Sequence, residues 1–80
     1  MTYTVYIIHS KNLDKYYTGQ TKDFKRRFER HNNSEMNYTK KGVPWELVKT
    51  FEVETRSEAI KLERKIKKRG AKRYLDNLST

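Results

Sequence analysis

Two phenols, a guanidinium, an imidazole and a carboxylate are spaced along this chain in a pattern that would serve phosphodiester cleavage. Tyr6 stands in Thr4-Val5-Tyr6-Ile7-Ile8, and Tyr17 in Tyr16-Tyr17-Thr18-Gly19. Arg27 and His31 follow in Asp23-Phe24-Lys25-Arg26-Arg27-Phe28-Glu29-Arg30-His31, and Glu63 closes Ser57-Glu58-Ala59-Ile60-Lys61-Leu62-Glu63. Cutting a phosphodiester requires that a water lose a proton, that attack be in line, that charge on the phosphate be stabilised and that the leaving oxygen be assisted. One phenol would accept the proton if nearby cations and a metal lowered its pKa, and the other would position water or phosphate. Arg27 offers a forked donor suited to phosphate oxygens. His31, four residues on, shares its helix face. Glu63 falls beside the apolar stripe of Ala59, Leu62 and Ile66, where a carboxylate costs desolvation unless something pairs with it. A hard divalent cation is a fitting partner.

Each of these residues also has an ordinary reading. Strand tyrosines commonly do no more than pack. Arg27, inside Lys25-Arg26-Arg27, could belong to a solvated basic face. His31 could cap a helix C-terminus, where the dipole favours it. Glu63 could pair with Lys67 at i,i+4 or with Arg56. Gly19 reads as a turn residue on either account, and His9 is too isolated to read as more than structural.

The elements that must position these groups follow from composition and period. Residues 3–9 are β-branched and aromatic and read as a strand. Residues 11–15 read as a turn, and residues 16–19 as the return strand of a hairpin ended by Gly19. Asp23 is a good N-cap for a helix over 24–31, with Phe24 and Phe28 as its apolar stripe. Asn32 to Pro44 is polar and reads as a long loop. Residues 45–53 alternate as a third strand. Thr55 or Ser57 would cap a helix that runs to about Arg69 and stops at Gly70. Residues 71–78 form one more short helix, with Leu75 and Leu78 packing back. The expected fold is α+β, with strands and helices in the order β-β-α-β-α-α and a small antiparallel sheet flanked by helices.

Composition narrows the function. Eighty residues make a single expected domain spanning 1–80. With no cysteine, neither a disulfide framework nor a thiolate zinc site is possible. No apolar run approaches the ~20 residues of a membrane span, and no charged-then-apolar leader opens the chain, so a soluble, cytoplasmic protein is expected. Nineteen Lys and Arg against ten Asp and Glu give a net charge of +9, a field that attracts polyanions, nucleic acid above all. The run Lys61, Arg64, Lys65, Lys67, Lys68, Arg69, Lys72, Arg73 could line a backbone groove or form a solvated helix face.

At Tyr6, Tyr17-Thr18-Gly19, Arg27, His31 and Glu58-Ala59-Ile60-Lys61-Leu62-Glu63, the chain resembles the GIY-YIG nuclease superfamily, and within it the small single-domain members. Thr4 stands where the family name has Gly. Tyr38-Thr39-Lys40-Lys41 and Pro44-Trp45-Glu46-Leu47-Val48 also resemble those small members. The likeness runs from about Tyr3 to Lys68. It implies a three-stranded antiparallel sheet flanked by helices and one bound Mg²⁺ or Mn²⁺ ion held by Glu63. Tyr6, helped by His31, would be the general base, Tyr17 its positioning partner, and Arg27 the clamp on the scissile phosphate. Gln20, Lys22, Arg26, Lys40, Lys41, Lys67 and Lys68 are the expected nucleic-acid contacts. Two positions depart from many catalytic relatives: Gln20 replaces a Lys, and the place of a downstream Asn falls on Leu75, with Asn77 off register. The implied function is a metal-dependent DNA endonuclease module of low sequence specificity, directed to DNA structure or single strands, in repair or recombination. A protein partner would add specificity, and no membrane is involved. The alternative is a nucleic-acid-binding protein of little or no activity on the same scaffold.

Overall fold

The computed structural model describes residues 2–33 and 39–78. Strand β1 (Tyr3–Ser10) runs through the middle of the sheet. Strand β2 (Lys15–Thr21) pairs with it antiparallel on one side, and β3 (Trp45–Val53) does so on the other. Successive side chains of a strand point to opposite faces, and a central strand covered on both faces buries both sets. Val5, Tyr6, Ile7 and Ile8 accordingly expose no surface. Helix α1 (Phe24–Asn32) follows β2, while α2 (Arg56–Arg69) and α3 (Ala71–Leu78) follow β3. This is the expected α+β order, with three antiparallel strands and three helices.

The sheet separates two apolar clusters. Val5 and Ile7 pack with Ala59 and Ile66 of α2, flanked by Phe51, Leu62, Tyr74 and Leu75. Tyr6 and Ile8 pack with Trp45, Tyr17, Phe24 and Phe28. Burying each such side chain contributes ~1.5–3 kcal/mol. The helices start where their sequences provide caps. Asp23 accepts from the Arg26 backbone N–H at 3.2 Å. Thr55 and Glu58 form a reciprocal capping box at the start of α2, so Thr55, not Ser57, is the cap. Gly70 ends α2 at φ 93°, a conformation suited to glycine. The hairpin turn puts Asp14 at φ 50°, which an Asx side chain tolerates.

Three expectations need correction. Gly19 does not end β2: the strand continues to Thr21, with Gly19 paired opposite Tyr6. Leu78 does not pack back but remains half exposed, while Leu75 does join the core. The expected loop from 32 to 44 carries regular structure in its described parts. Asn32 belongs to α1, and Lys40–Gly42 forms a single 3₁₀ turn. The middle of that loop, with Tyr38, lies outside the described residues. The polar segment that leads into β3 is held by side chains. Trp45 Nε1 donates to the Thr39 carbonyl at 2.7 Å, and Asn32 brackets the Trp45 backbone with two hydrogen bonds.

Candidate active site

The Tyr6 hydroxyl is the centre around which the other groups gather. Tyr6 and Tyr17 are diagonal neighbours on one face of the hairpin, because Tyr6 pairs with Gly19 and Ile8 with Tyr17. Their ring centroids lie 6.3 Å apart. His31, projecting from the last turn of α1, completes an aromatic triad, 5.7 Å from the Tyr6 ring and 5.1 Å from the Tyr17 ring. Its Nε2 lies 2.9 Å from the Tyr6 oxygen, and its Nδ1 lies 2.8 Å from the Thr39 hydroxyl. His31 is fully buried. It is therefore a link in a buried hydrogen-bond chain and not a solvent-facing helix cap.

Gly19 explains how the phenol fits. A Cβ built there would lie 2.5 Å from the Tyr6 oxygen and 2.7 Å from its Cζ. The missing side chain is the space into which the Tyr6 phenol extends.

Burial sets the protonation states. The Tyr6 hydroxyl is pushed well above the ordinary phenol value, first by loss of solvent and then by the neighbouring Tyr17. The Arg27 guanidinium opposes this, and the Glu63 carboxylate adds to it. The neighbouring guanidinium by itself therefore does not acidify the phenol, because desolvation outweighs it. His31 is pushed down to about 4, first by burial and then by the charges of Arg27 and Arg30. At neutral pH the pair is a neutral phenol against a neutral imidazole. Tyr6 can donate to Nε2 in the tautomer whose Nδ1–H donates to Thr39.

Arg27 and Glu63 reach this hydroxyl from separate elements, α1 and α2, and both act on it electrostatically. His31 thus contacts the Tyr6 hydroxyl, Tyr17 stands beside its ring, and Arg27 and Glu63 act on it through their charges. Glu63 is also in the ordinary pairing that its spacing allows, with Lys67 Nζ at 2.9 Å, and its side chain is 23% exposed. No group of three or more metal-ligating side chains exists among the described residues. One carboxylate matches the habit of Mg²⁺, which keeps several waters and takes one or two protein carboxylates together with substrate phosphate. An exposed pair with Lys67 holds that carboxylate only weakly. The donor set therefore fits one hard divalent ion.

The expected nucleic-acid contacts divide into groups. Gln20, Lys22 and Arg26 line one cavity that Arg27 also reaches. Lys40 and Lys41 are exposed on the 3₁₀ turn. Lys67 is engaged with Glu63. Lys68 lines a cleft with Lys65, Arg69, Arg73 and Asn77, between α2 and α3. Asn77 thus belongs to that cleft. His9 is structural, as expected, against Asp14 and the Tyr16 ring. Sequence reasoning did not find Thr39, whose hydroxyl orients His31, although its segment carried the family likeness. Nor did it find Arg30 or Arg56 as companions of Arg27. The i,i+3 spacing of Arg27 and Arg30 was the available signal for the first.

Comparison with known proteins agrees with this fold. The model of the GIY-YIG catalytic domain family matches residues 2–75. Among solved structures, the chain is similar to the UPF0213 protein BH0048 from Bacillus halodurans, determined by solution NMR. The two share 30% identity, and the match covers 99% of this chain and 84% of that one, with a TM-score of 0.60. No curated protein matches the chain. With the match spanning nearly its whole length, and with its strand order and helices as that fold requires, the chain belongs to the GIY-YIG catalytic domain family.

Proposed function

We propose that this domain is a divalent-metal-dependent endonuclease that hydrolyses phosphodiester bonds of single-stranded or branched DNA with little sequence preference, in repair or recombination. The observation that carries the reading is the Tyr6 hydroxyl held by a neutral, buried His31 while Arg27 and Glu63 act on the same oxygen. A phenol in this setting works as a proton conduit. As its oxygen takes a proton from the attacking water, its own proton passes to His31 Nε2, and Thr39 holds the imidazole in orientation through Nδ1. Tyr6 has no exposed surface, whereas Arg27 and Tyr17 are partly exposed. Swinging Arg27 onto a phosphate would uncover Tyr6 and clamp the substrate in one movement, while Tyr17 lines the approach. Glu63 would hold the metal ion, which supplies charge stabilisation at the phosphate and its leaving oxygen when bound. The +9 charge favours sequence-independent attraction to nucleic acid. The lack of cysteine fits a cytoplasmic protein, and no helix among the described residues is long and apolar enough to cross a membrane.

The Glu63–Lys67 pair favours a second reading, a binding protein of little activity whose carboxylate serves the helix. One assay separates the two. Labelled single-stranded and branched DNA is incubated with the native chain and with Glu63→Ala, with and without Mg²⁺ or Mn²⁺. The expected result is metal-dependent nicking by the native chain only, with binding retained by the variant. Equal cutting by both chains would remove Glu63 as ligand, and binding without cutting on every substrate would establish the second reading.

A further inference from the structure

We propose that the cavity beside Arg27 is a subsite for a non-scissile backbone phosphate of the bound strand, held by Arg30 and Arg56 together with Arg26. The inference rests on the nuclease reading of the neighbouring centre. The cavity has a volume of about 480 Å³ and is bounded by the second half of β2, one face of α1 and the first residue of α2. Four guanidiniums from α1 and α2 and the Lys22 ammonium from the turn between β2 and α1 line it. Arg26 and Arg30, at i,i+4, stand one above the other on α1. Arg56 comes in from α2, and Lys22 is held over the Tyr3 ring at 5.5 Å.

Among the described residues, no carboxylate neutralises these cations: the ion pairs join His9 with Asp14, Lys11 with Glu46 and Lys67 with Glu63, and none draws a cation from this cavity. The lone carboxylate on its wall, Asp23, is committed to capping α1. Like charges gathered this closely oppose folding, and an arriving anion removes the repulsion. Planar, forked donors suit phosphate oxygens in particular. Position selects the source of that phosphate. Arg27 lines the cavity and stands one helical turn from His31, which contacts the Tyr6 hydroxyl, so the cavity adjoins the proposed reacting centre. A strand whose scissile phosphate meets Arg27 would lay a neighbouring phosphate among Arg26, Arg30 and Arg56. Such a contact fixes the register and direction of the strand without reading its bases.

The test measures binding in EDTA, so that no cutting intervenes. The affinity of the full chain for a labelled single-stranded oligonucleotide is followed against salt and compared with the double variant Arg30→Gln, Arg56→Gln. Both side chains are exposed, and the cap of α2 uses Thr55 and Glu58, so the fold is retained. The slope of log K against log salt should become shallower by about 0.7 for each phosphate that the variant no longer neutralises, and Arg30→Lys, Arg56→Lys should restore it. A neutral methylphosphonate walked along the oligonucleotide should weaken the native chain at one linkage beside the scissile position and leave the Gln variant indifferent there. Equal slopes, or equal sensitivity at that linkage, would overturn the proposal. So would inorganic phosphate shielding Arg30 and Arg56 from phenylglyoxal where the oligonucleotide does not, since the cavity would then be a free-anion site. A failure to cut under any metal would sink the nuclease reading and leave these slopes unaltered, so the two can fail separately.

Discussion

Acidification should unfold this protein through His31, and the effect can be worked from the structure. The imidazole is buried, bonded on both nitrogens, and pushed from 6.5 down to about 4. In the unfolded chain it takes up its proton near 6.5, and in the folded chain only near 4. Between those values the unfolded state binds the extra proton, so stability falls as pH falls. The loss is ~1.4 kcal/mol per pH unit across that window, or about 3 kcal/mol in total. Above 6.5 the imidazole is neutral in both states and this contribution is constant. Carboxylates titrate over part of the same range, so the measurement is a difference. Urea unfolding, followed by the fluorescence of the buried Trp45, is run on the native chain and on His31→Gln at a series of pH values. The Gln variant shifts the whole curve, because it loses packing and hydrogen bonds at every pH. Its slope between pH 6.5 and 4 should nonetheless be shallower by about one proton. Parallel curves would refute the reasoning, because His31 would then titrate alike in both states and the buried neutral imidazole would not exist.

Gly19→Ala drives a methyl group into the Tyr6 phenol, which is enclosed and cannot yield. It should cost about 1–3 kcal/mol in denaturant unfolding and abolish cutting, while a comparable change at Gly70, which has open space around it but a strained φ, should cost stability and spare activity. Tyr6→Phe should lower the cleavage rate by about 10²–10⁴, and the acid limb of the native pH–rate profile should fall nearer 4 than 6.5, as the His31 value requires. Thr39→Val leaves His31 Nδ1 without its partner. It should destabilise the fold by about 1–3 kcal/mol and lower turnover more than substrate affinity, read as separate changes in kcat and KM.

Much of the architecture was legible because it rests on local signals. The β-branched and aromatic run of Tyr3 to His9, the Asp23 and Thr55 caps and the Gly70 stop each lie within a few residues of the element they define. The convergence of Tyr6, Tyr17, Arg27, His31 and Glu63 was legible only through the order of motifs along the chain. What escaped depends on distance in space. Gly19 looks like a turn residue until its pairing with Tyr6 is known, because the reason for a glycine is the ring across the strand and not the local backbone. Thr39 is eight residues from His31, beyond any helical or strand period. The direction of the Tyr6 shift could not be read either. A nearby arginine predicts acidification, and only the extent of burial decides that desolvation wins. Leu78 failed for the opposite reason: its period is right for the core, but it is the last residue of α3 and stays half exposed.

The same strand carries the core and the proposed chemistry, and this constrains how the domain can vary. β1 sends Val5 and Ile7 into the cluster under α2, and Tyr6 and Ile8 into the cluster under α1. A slip of one residue would exchange the faces. Tyr6 would enter the aliphatic layer against Ala59 and Ile66, and its hydroxyl would lose His31. The register is held from both sides, by Gly19 opposite Tyr6 on β2 and by β3, where the pairing shifts between Ile7 and Ile8. The position of the Tyr6 hydroxyl is therefore fixed by sheet packing, not by the helices that bring Arg27 and Glu63. Substitutions at Arg27 or Glu63 should alter chemistry while leaving the fold intact, whereas those at Val5, Ile7 or Gly19 should damage both together.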